Sequence, residues 1–98
     1  MKMLEYGLVL CEDDQDIVDL YANGLMEALK VQGCSVVRGF GYWNGAKETT
    51  HTITVCKPEH VGGRDKFMLA CLADSYKQVR KQSEVMTFIR EIDVVFIS

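Results

Sequence analysis

An Asn-Gly pair, Asn44-Gly45, sits between two runs of strand-forming residues, and it constrains the fold more than any other feature. A two-residue type I′ turn needs positive φ at both central positions, which asparagine and glycine tolerate. The flanks are rich in β-branched and aromatic residues: Val36-Val37-Arg38-Gly39-Phe40-Gly41-Tyr42-Trp43 before, Thr49-Thr50-His51-Thr52-Ile53-Thr54-Val55 after. So short a turn also fixes the register, with Arg38 expected opposite His51, Gly41 opposite Glu48 and Val36 opposite Ile53. One face of the hairpin then carries Arg38, Phe40 and Tyr42 beside Lys47, Thr49 and His51. The other carries Gly39, Gly41 and Trp43 beside Glu48, Thr50 and Thr52.

The remaining segments complete a simple order. Leu4, Tyr6, Leu8 and Leu10 alternate with Glu5, Gly7, Val9 and Cys11, the pattern of a first strand. Glu12-Asp13-Asp14-Gln15-Asp16 follows. An Asp there caps a helix, and the acidic run suits the positive end of its dipole. Val18, Tyr21, Ala22, Leu25, Ala28 and Leu29 give that helix one apolar stripe to about Val31, with Gly33 as its C′ residue. Pro58 ends the third strand, and residues 59–63 form a loop. A second helix starts near Arg64 or Asp65, with Met68, Cys71, Leu72, Ser75, Tyr76 and Val79 on its expected buried face. Residues 84–98 alternate as a long fourth strand, bulged near Arg90-Glu91. The order β-α-β-β-α-β is that of an α+β, ferredoxin-like fold, a four-stranded antiparallel sheet with two helices on one face. With 98 residues, the chain makes one domain over 1–98.

Charge and composition narrow the functional classes. A net charge of −3 argues against general nucleic-acid binding, which needs clustered Lys and Arg. The stretch Met1-Lys2-Met3-Leu4-Glu5-Tyr6 meets acidic residues by Glu12, and no apolar run has the length of a membrane span. Neither a signal peptide nor membrane contact is expected, and the expected location is the cytoplasm. Cys11, Cys34, Cys56 and Cys71 form no C-x-x-C pair and are expected as buried, reduced thiols. The acidic run from Glu12 lacks the glycine and distal glutamate of a calcium loop, and is expected as a cap with a solvated acidic face. No metal and no cofactor is expected.

The helices cover one sheet face only. Strand four offers Val85, Ile89, Val95 and Ile97 on one side and Met86, Phe88, Ile92, Val94 and Phe96 on the other. Apolar residues on both sides of a strand in so small a domain point to burial of the second face in a homodimer or higher assembly.

Several residues carry candidate binding chemistry. The alternating glycines beside Trp43 leave room for a flat ligand on the hairpin. Gly62-Gly63-Arg64 opens the second helix, where backbone N–H groups attract anions. The expected ligand set is Arg38, Tyr42, Trp43, Glu48, Thr50, His51 and Arg64. In it Trp43 or Tyr42 stacks, Arg38 and Arg64 meet phosphate, and Glu48 or Thr50 bonds the base. A catalytic set is incomplete, since no nucleophile is placed beside His51 and no second carboxylate pairs with Glu48. His60 is expected to be solvated in its loop.

From Gly41 to Val85 the chain resembles small ferredoxin-like proteins of unknown function. The resemblance rests on Tyr42-Trp43, Glu48-Thr49-Thr50-His51-Thr52-Ile53-Thr54-Val55, Tyr76-Lys77 and Gln82-Ser83, with Glu84 standing where those proteins have valine. In size, acidity and Cys and Met content it also resembles bacteriophage accessory proteins, some of which are counter-defence proteins that sequester cyclic-nucleotide signals. These resemblances imply a non-enzymatic viral binding protein that sequesters a small phosphorylated ligand such as a cyclic nucleotide in the host cytoplasm. One alternative is an inhibitor module that grips a host protein through its hairpin or edge strand. The other is a small enzyme using His51 with Glu48.

Overall fold

A computed structural model describes residues 1–58 and 63–97. The elements are β1 (Lys2–Leu10), α1 (Gln15–Leu29), β2 (Ser35–Trp43), β3 (Ala46–Pro58), α2 (Arg64–Val79) and β4 (Met86–Asp93). The sheet is antiparallel throughout, in the order β2-β3-β1-β4. This is the expected α+β βαββαβ arrangement. The expected homo-oligomer has no counterpart to compare in a single chain.

The hairpin has the anticipated register. Trp43 lies opposite Ala46, Gly41 opposite Glu48, Arg38 opposite His51 and Val36 opposite Ile53. Asn44 has φ of 50° and Gly45 of 81°, the pair of positive values that a type I′ turn demands.

One sheet face carries Tyr6, Leu8 and Leu10 from β1 and His51, Ile53 and Val55 from β3, all buried beneath the helices. Val18, Tyr21, Ala22, Leu25 and Leu29 of α1 close over them, with Leu69 and Tyr76 of α2. The Tyr21 and Tyr76 rings meet edge to face, 5.3 Å apart, and Tyr21 Oη lies 3.0 Å from Ser75 Oγ. On the other sheet face the Phe88 ring lies directly on Gly7, its cross-strand partner, where any Cβ would collide with it. No helix among the described residues is long and apolar enough to cross a membrane.

Several boundaries differ from expectation. α1 ends at Leu29 because Lys30 takes the left-handed conformation at φ 57°, and the Val31 N–H donates to the Met26 carbonyl at 3.0 Å. Gly33 has no part in that cap. The buried stripe of α2 is Asp65, Leu69 and Tyr76, with Leu72 and Met68 half-buried; Cys71, Ser75 and Val79 are exposed. Counting apolar residues alone passes over Asp65, the charged residue that starts the stripe. β4 is shorter than expected and unbulged: its register with β1 runs without a break from Val9↔Met86 to Lys2↔Asp93. Beyond it Val95, Phe96 and Ile97 are exposed. The four cysteines are free thiols, but Cys11 and Cys34 are only half-buried, and Cys56 and Cys71 are exposed. His60 and Gly62 lie outside the described residues.

Candidate functional site

At one end of the molecule the exit of β1, the start of α1, the end of α2 and the hairpin tip converge. Glu12 is the hub of this end and is 8% exposed. Its carboxylate accepts two bonds from Arg80, Nε at 2.6 Å and Nη2 at 3.0 Å. It also accepts the backbone N–H groups of Asp13 and Asp14 at 3.1 and 3.0 Å, and the Tyr76 hydroxyl at 3.3 Å. Burial opposes its charge. The Arg80 guanidinium, the Asp14 N–H and the Tyr76 hydroxyl outweigh that and hold the carboxyl below its usual range. The expectation of a solvated acidic face therefore fails at Glu12. It holds at the neighbouring Asp14, the N-cap of α1, whose exposed side chain accepts the Asp16 N–H at 2.9 Å.

Tyr76 ties α2 to the same loop, its hydroxyl donating to the Cys11 carbonyl at 2.8 Å. Burial, and then the negative charge of Glu12, push the Tyr76 hydroxyl far above its ordinary pKa, so it stays protonated as a donor. His51 Nδ1 lies 2.9 Å from the Glu12 carbonyl oxygen, within the buried layer.

Above this floor opens a cleft of about 560 Å3. The hairpin supplies Tyr42, Trp43 and Glu48; β1 and its exit supply Val9 and Cys11. The turn into β4 supplies Gln82, Ser83 and Glu84. The Trp43 ring folds back over Gly41, where a Cβ would lie 3.3 Å from the indole nitrogen. Gly41 thus lets the ring pack, whereas Gly39 has only an ordinary neighbour, Thr50 Oγ1 at 3.7 Å from such a Cβ. The Cys11 sulfur interacts with both Glu48 and Trp43. Burial and the Glu48 carboxylate raise its pKa against the pull of the indole N–H, so the thiol is a poor nucleophile.

The structure thus brings Tyr42, Trp43 and Glu48 together and leaves the other expected ligand residues elsewhere. Thr50 follows Glu48 on the open face of β3, away from the cleft lining. His51 faces the helices, buried and opposite in parity to Glu48, so the two do not share a site. Arg38 is exposed on the helix-side face of β2. Arg64 lies at the far end, where α2 begins. There its Nη1 donates to the Ala28 carbonyl at 2.9 Å and to Asp65 Oδ1 at 3.2 Å. The pairing of Trp43 with Arg64 around one ligand is therefore geometrically excluded: α2 runs the length of the domain between them.

Cys11, Glu12, Tyr76, Gln82 and Glu84 also stand at this end, though the sequence marks none of them as a ligand: Cys11 reads as first strand, Glu12 as acidic cap, Tyr76 as the buried face of the second helix and Glu84 as last strand. Their one shared signal is position, since each stands at a strand or helix end on the hairpin-tip side of the βαββαβ order. Among the described residues, no Lys or Arg lines the cleft, and its charged groups are the carboxylates of Glu48 and Glu84.

No family model and no curated protein sequence matches the chain. Solved structures do share its fold. A phage SAM lyase in complex with S-methyl-5′-thioadenosine aligns over 92% of this chain and 80% of its own, with a TM-score of 0.56 and 15% identity. A DUF3240 family protein from Shewanella baltica aligns over 99% and 97%, with a TM-score of 0.59 and 17% identity. At these identities the likeness is one of fold.

Proposed function

We propose that the chain is a non-enzymatic binding protein whose hairpin-tip cleft takes an adenine nucleoside bearing a sulfonium or thioether, the S-adenosylmethionine class. The observation that carries this reading is the make-up of the cleft: the indole of Trp43 and the exposed phenol of Tyr42 beside two carboxylates, with no cation among the described lining residues. Aromatic faces accept a purine, and carboxylates with ring faces favour a positively charged sulfonium over a phosphate. The phage SAM lyase that shares the fold, solved with a methylthioadenosine bound, supports the ligand class. A phosphorylated ligand such as a cyclic nucleotide fits less well, because Arg80 is committed to Glu12 and Arg38 and Arg64 lie elsewhere.

Among the described residues the cleft holds no activated nucleophile. His51 is buried away from the cleft, and Cys11 and Tyr76 are held protonated. Sequestration of such a ligand in the cytoplasm of a phage-infected cell is the role this reading assigns.

Isothermal titration of the purified chain with S-adenosylmethionine, S-methyl-5′-thioadenosine and cyclic adenosine monophosphate tests it, with chromatography of each ligand after incubation. The reading expects S-adenosylmethionine to bind most tightly and be recovered intact, and Glu48→Gln to weaken it more than the neutral thioether. Tightest binding of the cyclic nucleotide, or no binding of any of the three, would sink the ligand class. Consumption of S-adenosylmethionine would move the protein to the enzymes, with the Glu48 and Glu84 carboxylates as the first candidates for acid–base roles.

A further inference from the structure

The two edges of the sheet are built differently. β4 carries Arg90, Glu91 and Asp93, the charges that keep an exposed edge from pairing with another chain. β2 is nine residues long, holds the single charge Arg38, contains no proline and is exposed almost throughout. Val37, Phe40 and Tyr42 are each more than 60% exposed. Its register with β3 runs unbroken from Ser35 to Trp43, without a bulge to turn the edge away.

The turn also dictates which backbone groups of β2 are free. A two-residue hairpin closes on a hydrogen-bonded pair, here Trp43 with Ala46. Alternation then directs the N–H and C=O groups of Gly41, Gly39 and Val37 toward β3 and those of Tyr42, Phe40, Arg38 and Val36 outward. An antiparallel partner must therefore pair with the even-numbered residues.

The geometry points to a second copy of this chain as that partner, with the two β2 strands antiparallel about a twofold axis at Gly39. In this register Arg38 faces the partner's Phe40, and Val36 faces the partner's Tyr42. Gly39 meets the partner's Gly39 in a non-hydrogen-bonded pair, where the chains approach most closely and no side chains compete for room. Moving the twofold axis to Arg38 would set Arg38 against the partner's Arg38, so charge selects against that register. The Gly39-centred pairing sets a guanidinium beside the Phe40 ring, one face of which already carries Lys47 Nζ at 4.0 Å, and does so twice over, as an isologous interface requires. It joins two four-stranded sheets into one and pairs the outward N–H and C=O groups of β2. It also brings the partner's Ser35 opposite Trp43, at the mouth of the cleft.

Multi-angle light scattering and sedimentation equilibrium of the full chain test this with two variants at the exposed edge. Phe40→Lys sets a like charge against the partner's Arg38 and is expected to raise the dimer dissociation constant about a hundredfold. Arg38→Glu combined with Phe40→Lys replaces that clash with an opposite-charge pair and is expected to restore the dimer. Circular dichroism and Trp43 fluorescence report whether each variant keeps the fold. Dimerisation of the wild type, lost in the single variant and regained in the double, is the supporting pattern. A monomeric wild type, an assembly indifferent to Phe40→Lys, or a double variant that fails to recover would each overturn the proposal.

Discussion

Each end of the domain holds one buried carboxylate against cations, and the two do different work. Asp65, at the start of α2, is 3% exposed and sits between Lys57 and Arg64, with Lys57 Nζ 2.8 Å from Oδ2. The same two cations donate onward to the last carbonyls of α1, Lys57 to Leu29 and Arg64 to Ala28, each at 2.9 Å. α1 has no basic residue in its own last turn, so β3 and α2 supply the positive charge that its C-terminus favours. Glu12, at the other end, is likewise buried against a cation, but its partners Tyr76 and Arg80 stand under an open cleft. One carboxylate closes an end of the structure; the other props open a floor. Burial of a paired carboxylate therefore does not mark a site. What the bonded groups border does.

The largest effect expected from breaking this comparison is at the closed end. Asp65→Ala leaves Lys57, half-buried, without its anion. It should cost about 3–5 kcal/mol in urea unfolding, with ligand affinity of the folded fraction unchanged. A loss below about 1 kcal/mol would show that Asp65 is not a staple.

Glu12→Gln should cost less stability, about 2–3 kcal/mol, since Gln keeps one acceptor for Arg80 and for the loop N–H groups. Unlike Asp65→Ala, it should also weaken ligand binding, because the cleft floor shifts. It should alter the acid limb as well. A carboxyl held below its ordinary pKa stabilises the fold above that ordinary value, near 4.5, and the contribution is lost as pH falls through the folded-state pKa. The variant should therefore lose less stability than the wild type on acidification below pH 4.5; parallel acid limbs would remove Glu12 from this role.

Tyr76→Phe deletes the hydroxyl shared by the Cys11 carbonyl and Glu12 and should cost about 1–2 kcal/mol by thermal unfolding. Gln82→Ala and the like lie on the rim and carry no such expectation. Trp43→Ala is the smallest in stability, under about 1 kcal/mol for a ring near 40% exposed, yet it should weaken adenine-nucleoside binding about tenfold or more. Unchanged affinity in that variant would detach the indole from the ligand.

The fold was legible in the sequence because its signals are local. Asn44-Gly45 sets a turn, the turn sets the register of Arg38 with His51, and period-two alternation sorts Tyr6, Leu8 and Leu10 inward. One wall of the cleft was legible on the same ground, since Tyr42, Trp43 and Glu48 belong to one hairpin. The rest was not, because Cys11, Tyr76 and Glu84 come from three separate element ends, and a chain pattern carries no distance between them. Charge misled where its partner is remote in sequence. Arg64 beside Gly63 reads locally as an anion site, but Asp65 and the end of α1 already occupy its guanidinium. Glu12 reads as one more exposed acid in a run, but Arg80, far along the chain, makes its burial tolerable.

By itself, then, the sequence determined the element order, the hairpin register and the two faces of each central strand, all of which follow from near-neighbour stereochemistry and hydrophobic periodicity. Only the tertiary structure decided which carboxylate is buried, which arginine is spent on a helix end and which aromatic rings share a cleft. Those outcomes depend on Coulombic and hydrogen-bonding partners that the fold alone brings within reach.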